Sequence, residues 1–236
     1  MIAPRLPRIA AVVAAAGRGE RLNCDIPKAF QLLGGLPLVA HAVSAVGCAP
    51  SVELVVVAVP PSHVGRAEAL FVGHHGDADL RVVEGAASRH ESVAQALSLL
   101  PPTVEMVLVH DAARPLVPVS LVETVAAAVR AGAPAVVPAV AVTDTIRRVE
   151  AGVVRGVVDR SMLRAMQTPQ GFAREVLDRA YAAALDLTAV TDDASLVERL
   201  GIPVTVVPGH DDAFKVTRPQ DLLLAEAVLA KREGRL

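Results

Sequence analysis

Residues 9–16, Ile-Ala-Ala-Val-Val-Ala-Ala-Ala, form an apolar run that ends on Gly17-Arg18-Gly19. An apolar run that meets glycines and cations without a break reads as a buried strand entering a loop and then a helix, the unit from which doubly wound α/β folds are built. With Arg5 and Arg8 before it and three alanines at its end, the same run imitates a secretory leader. The glycine loop directly behind it favours the strand.

The run is the first of a series. Strands are expected over 9–14, 53–59, 80–83, 104–109, 135–140 and 204–207, with helices over 37–46, 62–71, 88–100, 119–131, 172–185 and 192–200. Ser88-Arg89-His90-Glu91 reads as a capping box, Gly132 as a helix stop, and Thr217 with Gln220 as the N-cap and N3 of the last helix. Continuously apolar strands alternating with helices imply an open, doubly wound, mostly parallel sheet covered on both faces. Ligands of such folds bind at the carboxyl ends of the strands, so the site is expected in the loops after residues 14, 83 and 109.

One segment breaks the pattern. Residues 145–149 and 153–158 flank Glu150-Ala151-Gly152 as a hairpin too polar for a core strand pair. It reads as an arm over about 141–160, projecting from a single domain of 1–236 and seeking a partner surface.

Composition excludes several functions. Lys plus Arg is 23 against 25 Asp plus Glu, a net charge of -2, without the basic excess of a nucleic-acid binder. Aromatic residues are 2% of the chain, too few for a base-stacking platform. Cys24 and Cys48 are the only cysteines; they form neither a disulfide framework nor a four-ligand zinc site and read as free thiols of a reducing, cytoplasmic compartment. No apolar run approaches the ~20 residues of a membrane span.

The first loop, Ala14-Ala15-Ala16-Gly17-Arg18-Gly19-Glu20-Arg21-Leu22, lacks the third glycine of a dinucleotide fingerprint, and it lacks the Gly-Lys-Ser/Thr of a P-loop. Its two glycines still let backbone N–H groups approach an anion, and Arg18, Arg21 and Lys28 bring the charge a polyphosphate requires. A structural turn with solvated cations is the competing reading. After the fourth expected strand comes His110-Asp111-Ala112-Ala113-Arg114-Pro115. Asp111 is placed where a hard cation could bridge it to phosphate oxygens, and Arg114 where it could meet a second anion; a helix-capping Asp is the alternative. His110 reads as a packed core histidine, and His74-His75 as a surface loop.

Taken together these motifs resemble the 2-C-methyl-D-erythritol 4-phosphate cytidylyltransferase family over nearly the whole chain. The resemblance rests on Ala-Ala-Gly-x-Gly-x-Arg followed by Pro27-Lys28, on residues 110–115, on Asp144-Thr145, Asp159-Arg160 and Thr168-Pro169-Gln170, and on residues 191–195 and 215–219. It implies transfer of a cytidylyl group from CTP to methylerythritol phosphate with release of pyrophosphate, a divalent cation such as Mg2+, and a homodimer. By the same resemblance Arg21, Lys28 and Lys215 are the catalytic cations, Arg21 and Lys28 stabilising charge at the α-phosphate, and Asp111 is the metal ligand. Ala15, Ala16, Gly17, Gly19, Gly85, Ser92 and Ala112 would contact the nucleotide. Arg114, Thr145, Arg160, Thr168 and Lys215 would hold the polyol phosphate, Thr145 and Arg160 reaching the neighbour's site through the arm. The chain departs from the family pattern at Ala14, where Pro is frequent, and at Gly85-Ala86-Ala87, where Gly-Gly-Asp is frequent. Ala87 offers no side-chain acceptor.

The chemistry agrees with the residues present. A phosphate monoester is largely ionised near neutrality, its second pKa being about 6, so it attacks without a general base. Positioning and charge stabilisation then suffice. Two alternatives stay open: a sister enzyme acting on another polyol phosphate such as ribitol 5-phosphate, and a non-catalytic nucleotide-binding module.

Overall fold

The structure, a computed structural model, describes residues 8–17, 26–72, 76–184 and 190–235. Arg18, Gly19, Arg21, Cys24 and His74-His75 lie outside the described residues.

In chain order the elements are β1 (Arg8–Ala14), β2 (Leu32–Leu33), β3 (Leu36–Pro37), α1 (Leu38–Gly47), β4 (Val52–Val59), α2 (Val64–Phe71), β5 (Asp79–Glu84) and α3 (Arg89–Ser98), then β6 (Val104–Asp111), α4 (Val119–Arg130), β7 (Ala135–Ala141), β8 (Ile146–Glu150) and β9 (Val153–Val158). They continue with β10 (Arg164–Met166), β11 (Gln170–Ala173), α5 (Arg174–Ala183), α6 (Asp193–Arg199), β12 (Thr205–Pro208) and α7 (Pro219–Arg232).

The eight-stranded sheet runs β10-β7-β11-β6-β1-β4-β5, with β12 also paired to β7. β1 is central, parallel to β4 on one side and to β6 on the other. Both of its faces are buried. Ile9, Ala11 and Val13 join the apolar cluster that contains α1 and α4 residues. Ala10 and Val12 join the opposite cluster, with residues of α3, α5 and α6. The two-residue period of a strand therefore splits one apolar run between two cores, which is why the run shows no polar alternation. The leader-like reading of residues 9–16 gives way to this central strand.

The α/β architecture is as expected, with local differences that include the two-residue strands β2 and β3, the second taking Pro37 from the helix expected over 37–46. β10 and β11 are antiparallel to β7, and β11 is antiparallel to β6 as well; neither was foreseen. Each is too short for periodicity to register, and the helix expected from 172 begins only at Arg174. The helix expected over 62–71 opens with a 3-10 turn at 61–63 before α2. The last helix is capped one residue later than expected. Pro219 takes the first helical position, Arg218 is the N-cap and Asp221 the N3 residue. Thr217 lies outside the helix, its N–H and hydroxyl both donating to Asp221 Oδ2 at 2.7 Å. Proline, with its fixed φ and no N–H, sets that boundary.

The arm is a separate two-stranded sheet of β8 and β9. Glu150 pairs with Val153, leaving Ala151 (φ 47°) and Gly152 (φ 79°) as a two-residue turn with both residues left-handed.

Candidate active site

Four strands deliver their carboxyl ends to one edge of the sheet. Ala14 of β1 stands beside Asp111 of β6 in register. Behind β1, the Ala15 N–H donates to Ala58 O at 2.8 Å, tying the glycine loop to β4. Behind β5, the Gly85 N–H donates to Val59 O at 2.7 Å. A Cβ on Gly85 would lie 2.4 Å from the Ala16 Cβ, so only glycine lets the two loops touch. All three loops expected to carry the site converge here.

Three adjoining pockets form a groove along this edge. The first is walled by Ala16, Pro27, Pro60, Pro61 and Gly85 to Ala87. The second contains the glycine-loop residues 14–17 with Lys28, Arg89, Asp111 to Ala113 and Lys215. The third contains Arg89, Asp111, Arg114, Thr168, Thr191, Asp192 and Lys215. Ala16 joins the first pocket to the second; Arg89, Asp111 and Lys215 join the second to the third.

Asp111 is the hinge of this arrangement. Arg89 Nε donates to its Oδ1 and Lys215 Nζ to its Oδ2, each at 2.7 Å. Lys215, from the segment before α7, is brought there because the Val216 N–H donates to Ala113 O at 2.8 Å. Burial pushes the Asp111 carboxyl up, but Arg89 and then Lys215 outweigh it and hold the group well below the usual carboxylate range. Arg89 shows the converse: burial would lower it, and the carboxylates of Asp111 and Asp193 keep it charged.

Asp111 is also fixed from its backbone. Its N–H donates to Thr168 Oγ1 at 3.1 Å, and that hydroxyl stands 3.0 Å from His110 Nδ1. His110 Nε2 is 3.1 Å from Arg114 O. A carbonyl only accepts, so Nε2 carries the proton and Nδ1 accepts from Thr168. His110 is fully buried, and burial brings its pKa down to about 4, consistent with a neutral ring.

The expected site residues sort by what their polar atoms do. Lys28, Ala15, Ala16, Gly17, Gly85, Ala112, Asp111 and Lys215 line the first two pockets. Ser92 does not face the groove with a free hydroxyl. It is fully buried, donates to Ser88 O at 2.7 Å and accepts from the Ala86 N–H at 2.9 Å, shaping the loop over 85–88. Arg114 lines the third pocket, but its Nη1 donates to Ala213 O at 2.6 Å and its Nη2 to Met166 O at 3.1 Å. Thr168 lines the third pocket, its hydroxyl accepting from the Asp111 N–H and donating to His110 Nδ1. Thr145 and Arg160 are exposed on the arm and line none of these pockets; Arg160 Nη1 donates to Thr143 O. Arg21 and Gly19 lie outside the described residues.

Arg89 was not singled out from the sequence, although it ranks with Lys215 as a partner of Asp111. Its only sequence signal was a place inside a capping box, which the structure bears out: Ser88 Oγ accepts from the Glu91 N–H at 3.1 Å and Glu91 Oε2 from the Ser88 N–H at 2.9 Å.

A family model described as 2-C-methyl-D-erythritol 4-phosphate cytidylyltransferase matches residues 9–231. The chain belongs to that family. A protein of that name from Streptomyces coelicolor is 53% identical over 95% of this chain and 86% of its own. One from Streptomyces avermitilis is 52% identical over 97% and 94%. The crystal structure of the Thermus thermophilus member, 37% identical, superposes with a TM-score of 0.75 over 94% of this chain and 98% of that one. Family membership thus carries the expected fold with it, and the groove occupies the edge where that fold places ligands.

Among the described residues no three of His, Cys, Asp and Glu gather to hold a metal ion. Mg2+ is commonly held by one or two carboxylates together with substrate phosphates and waters, and a single carboxylate in a cation-lined pocket fits that mode.

Proposed function

We propose that this chain transfers the cytidylyl group of CTP to 2-C-methyl-D-erythritol 4-phosphate, releasing pyrophosphate. The supporting observation is the groove itself: a small-residue pocket at one end, Lys28, Arg89 and Lys215 around Asp111 at the centre, and Arg114, Thr168 and Thr191 at the other end.

The base would sit against Gly85 to Ala87, read by backbone groups since those residues carry no side-chain donor or acceptor. The triphosphate would lie along the glycine loop and Lys28. The polyol phosphate would enter from the third pocket, its oxygen attacking the α-phosphorus as pyrophosphate departs. Lys28 and Lys215 would stabilise the charge that builds on the α-phosphate in the transition state. Asp111 would hold a divalent cation, which when bound would neutralise phosphate charge. His110 and Thr168 would keep Asp111 in place.

The arm supports a homodimer. Its Val149, Val153, Val154 and Val157 are 51–65% exposed, and a two-stranded ribbon is too small to be stable by itself. Docked on a partner, the arm would bring Thr145 and Arg160 to the other subunit's third pocket. Among the described residues no helix is long and apolar enough to cross a membrane.

The test is pyrophosphate release over a panel of the four common NTPs against methylerythritol phosphate and ribitol 5-phosphate. Release confined to CTP with methylerythritol phosphate is expected. Preference for ribitol 5-phosphate, or CTP binding without release, would overturn the reading.

A further inference from the structure

Arg89 reaches between two carboxylates on opposite sides of the groove wall. Its Nε bonds Asp111, and its Nη2 lies 2.8 Å from Asp193 Oδ2. Its Nη1 is buried without a hydrogen-bond partner among the described residues. The two carboxylates therefore set its position. Asp193, in the first turn of α6, is fully buried and lines none of the three pockets. Tyr181 of α5 donates to its Oδ1 at 2.5 Å. Asp193 is not needed as a cap, because Asp192 is the N-cap, its Oδ1 accepting from the Ser195 N–H at 3.1 Å. A buried carboxylate carries a large desolvation cost that local packing does not explain.

The two cations on Asp111 differ. Arg89 is anchored from behind, its side chain 21% exposed; Lys215 is 37% exposed and ends a flexible stem. We propose that Asp193 is a positioning residue: by anchoring Arg89, it keeps Arg89 Nε on Asp111 Oδ1, so that Lys215 can leave Asp111 for an incoming phosphate. Without that anchor Arg89 is free to shift away, Asp111 keeps Lys215, and the phosphate loses a partner. This rests on reading the groove as a nucleotidyl-transfer site.

The experiment is a double-mutant cycle on the binding of inorganic pyrophosphate, without added metal, followed by calorimetry. Asp193 and Lys215 share no contact in the structure, so a purely structural Asp193 gives the same fold-change whether or not Lys215 is present. With Lys215 intact, Asp193→Asn is expected to weaken binding about 5-fold or more, and in the Lys215→Met background by less than about 2-fold. Equal fold-changes in both backgrounds, no weakening with Lys215 intact, or no pyrophosphate binding to the wild type would each overturn the inference. Tyr181→Phe removes only the hydroxyl that orients Asp193 and carries the same cycle if Asp193→Asn does not fold, with at least about 2-fold weakening expected in the Lys215 background only. A failed release panel with the cycle intact would overturn the proposed substrates and leave this inference standing.

Discussion

At the residue scale, His110 makes the pH dependence of stability predictable. Its pKa is about 4 in the folded chain, against an ordinary value near 6.5, because burial penalises the charged ring. Above 6.5 the ring is neutral in both states and contributes no pH dependence. As pH falls from 6.5 towards 4, the unfolded chain takes up the proton first, and stability drops. The full loss is of order 3 kcal/mol, from 1.36 kcal/mol per pKa unit. Urea denaturation of the metal-free protein at pH 7 and pH 4.5 checks this. His110→Asn should flatten the His110 contribution to the slope while lowering stability at pH 7, since the hydrogen bonds to Thr168 and Arg114 O are disturbed.

Lys28 carries the residue-scale prediction about catalysis. Pro27 fixes the backbone before it, and Lys28 opens a 3-10 turn at the pocket edge. An ammonium held there acts on charge that develops during transfer. Lys28→Ala should lower kcat by about 100-fold, the scale of losing one preorganised donor. CTP affinity, measured by calorimetry, should change far less. Turnover within a few-fold of wild type would make Lys28 a surface charge.

At the scale of elements, the unforeseen strand β11 shows how closely helix and sheet approach. A Cβ on Gly171 would lie 2.6 Å from Val125 Cγ1 and 2.8 Å from Val129 Cγ2, both on α4, and 3.2 Å from Leu108 Cδ2. Gly171→Ala is therefore expected to overpack this layer and destabilise the fold by about 1–3 kcal/mol. Denaturant unfolding measures it directly. Gly17, with nothing among the described residues within 4 Å of an added Cβ, is the contrast: Gly17→Ala should spare stability and act, if at all, on phosphate binding.

The long elements of the chain were legible because each carries a complete local signal. α3 has its capping box, α4 ends ahead of Gly132, and β1 and β4 are unbroken apolar runs. β10 and β11 have three and four residues and no period to read. Their pairing to β7 and β6 is decided by long-range contacts. The same holds for the cap of α7, where Pro219 overrode the more conventional N-cap Thr217.

At the scale of the whole molecule, the arm tests the shared-site arrangement. Subunits carrying Lys28→Ala and subunits carrying Arg160→Ala should each be poorly active alone. If Arg160 serves the partner's groove, a mixed dimer collects both lesions in one site and leaves the other intact, so exchange restores activity. If Arg160 serves its own chain, every site keeps one lesion and activity stays low. Exchange verified by differently tagged subunits, with no recovery, would remove the arm from the active site.

The sequence by itself determined the α/β class, the edge of the sheet where the candidate groove lies, and the motifs on which the family resemblance rests. These follow from local chemistry: apolar runs, glycines, and cations written next to one another. The tertiary structure decided which of those groups meet. Asp111 acquires Arg89 from 22 residues before it and Lys215 from 104 residues after it. Ser92 and Thr168 acquire partners inside the fold, Ser92 in the loop over 85–88 and Thr168 on Asp111 and His110 at the edge of the third pocket. The link from Tyr181 through Asp193 to the Arg89 guanidinium emerges only in the fold. An ion pair between distant segments leaves no periodic trace in a chain, so its partners emerge only when the sheet brings the segments together.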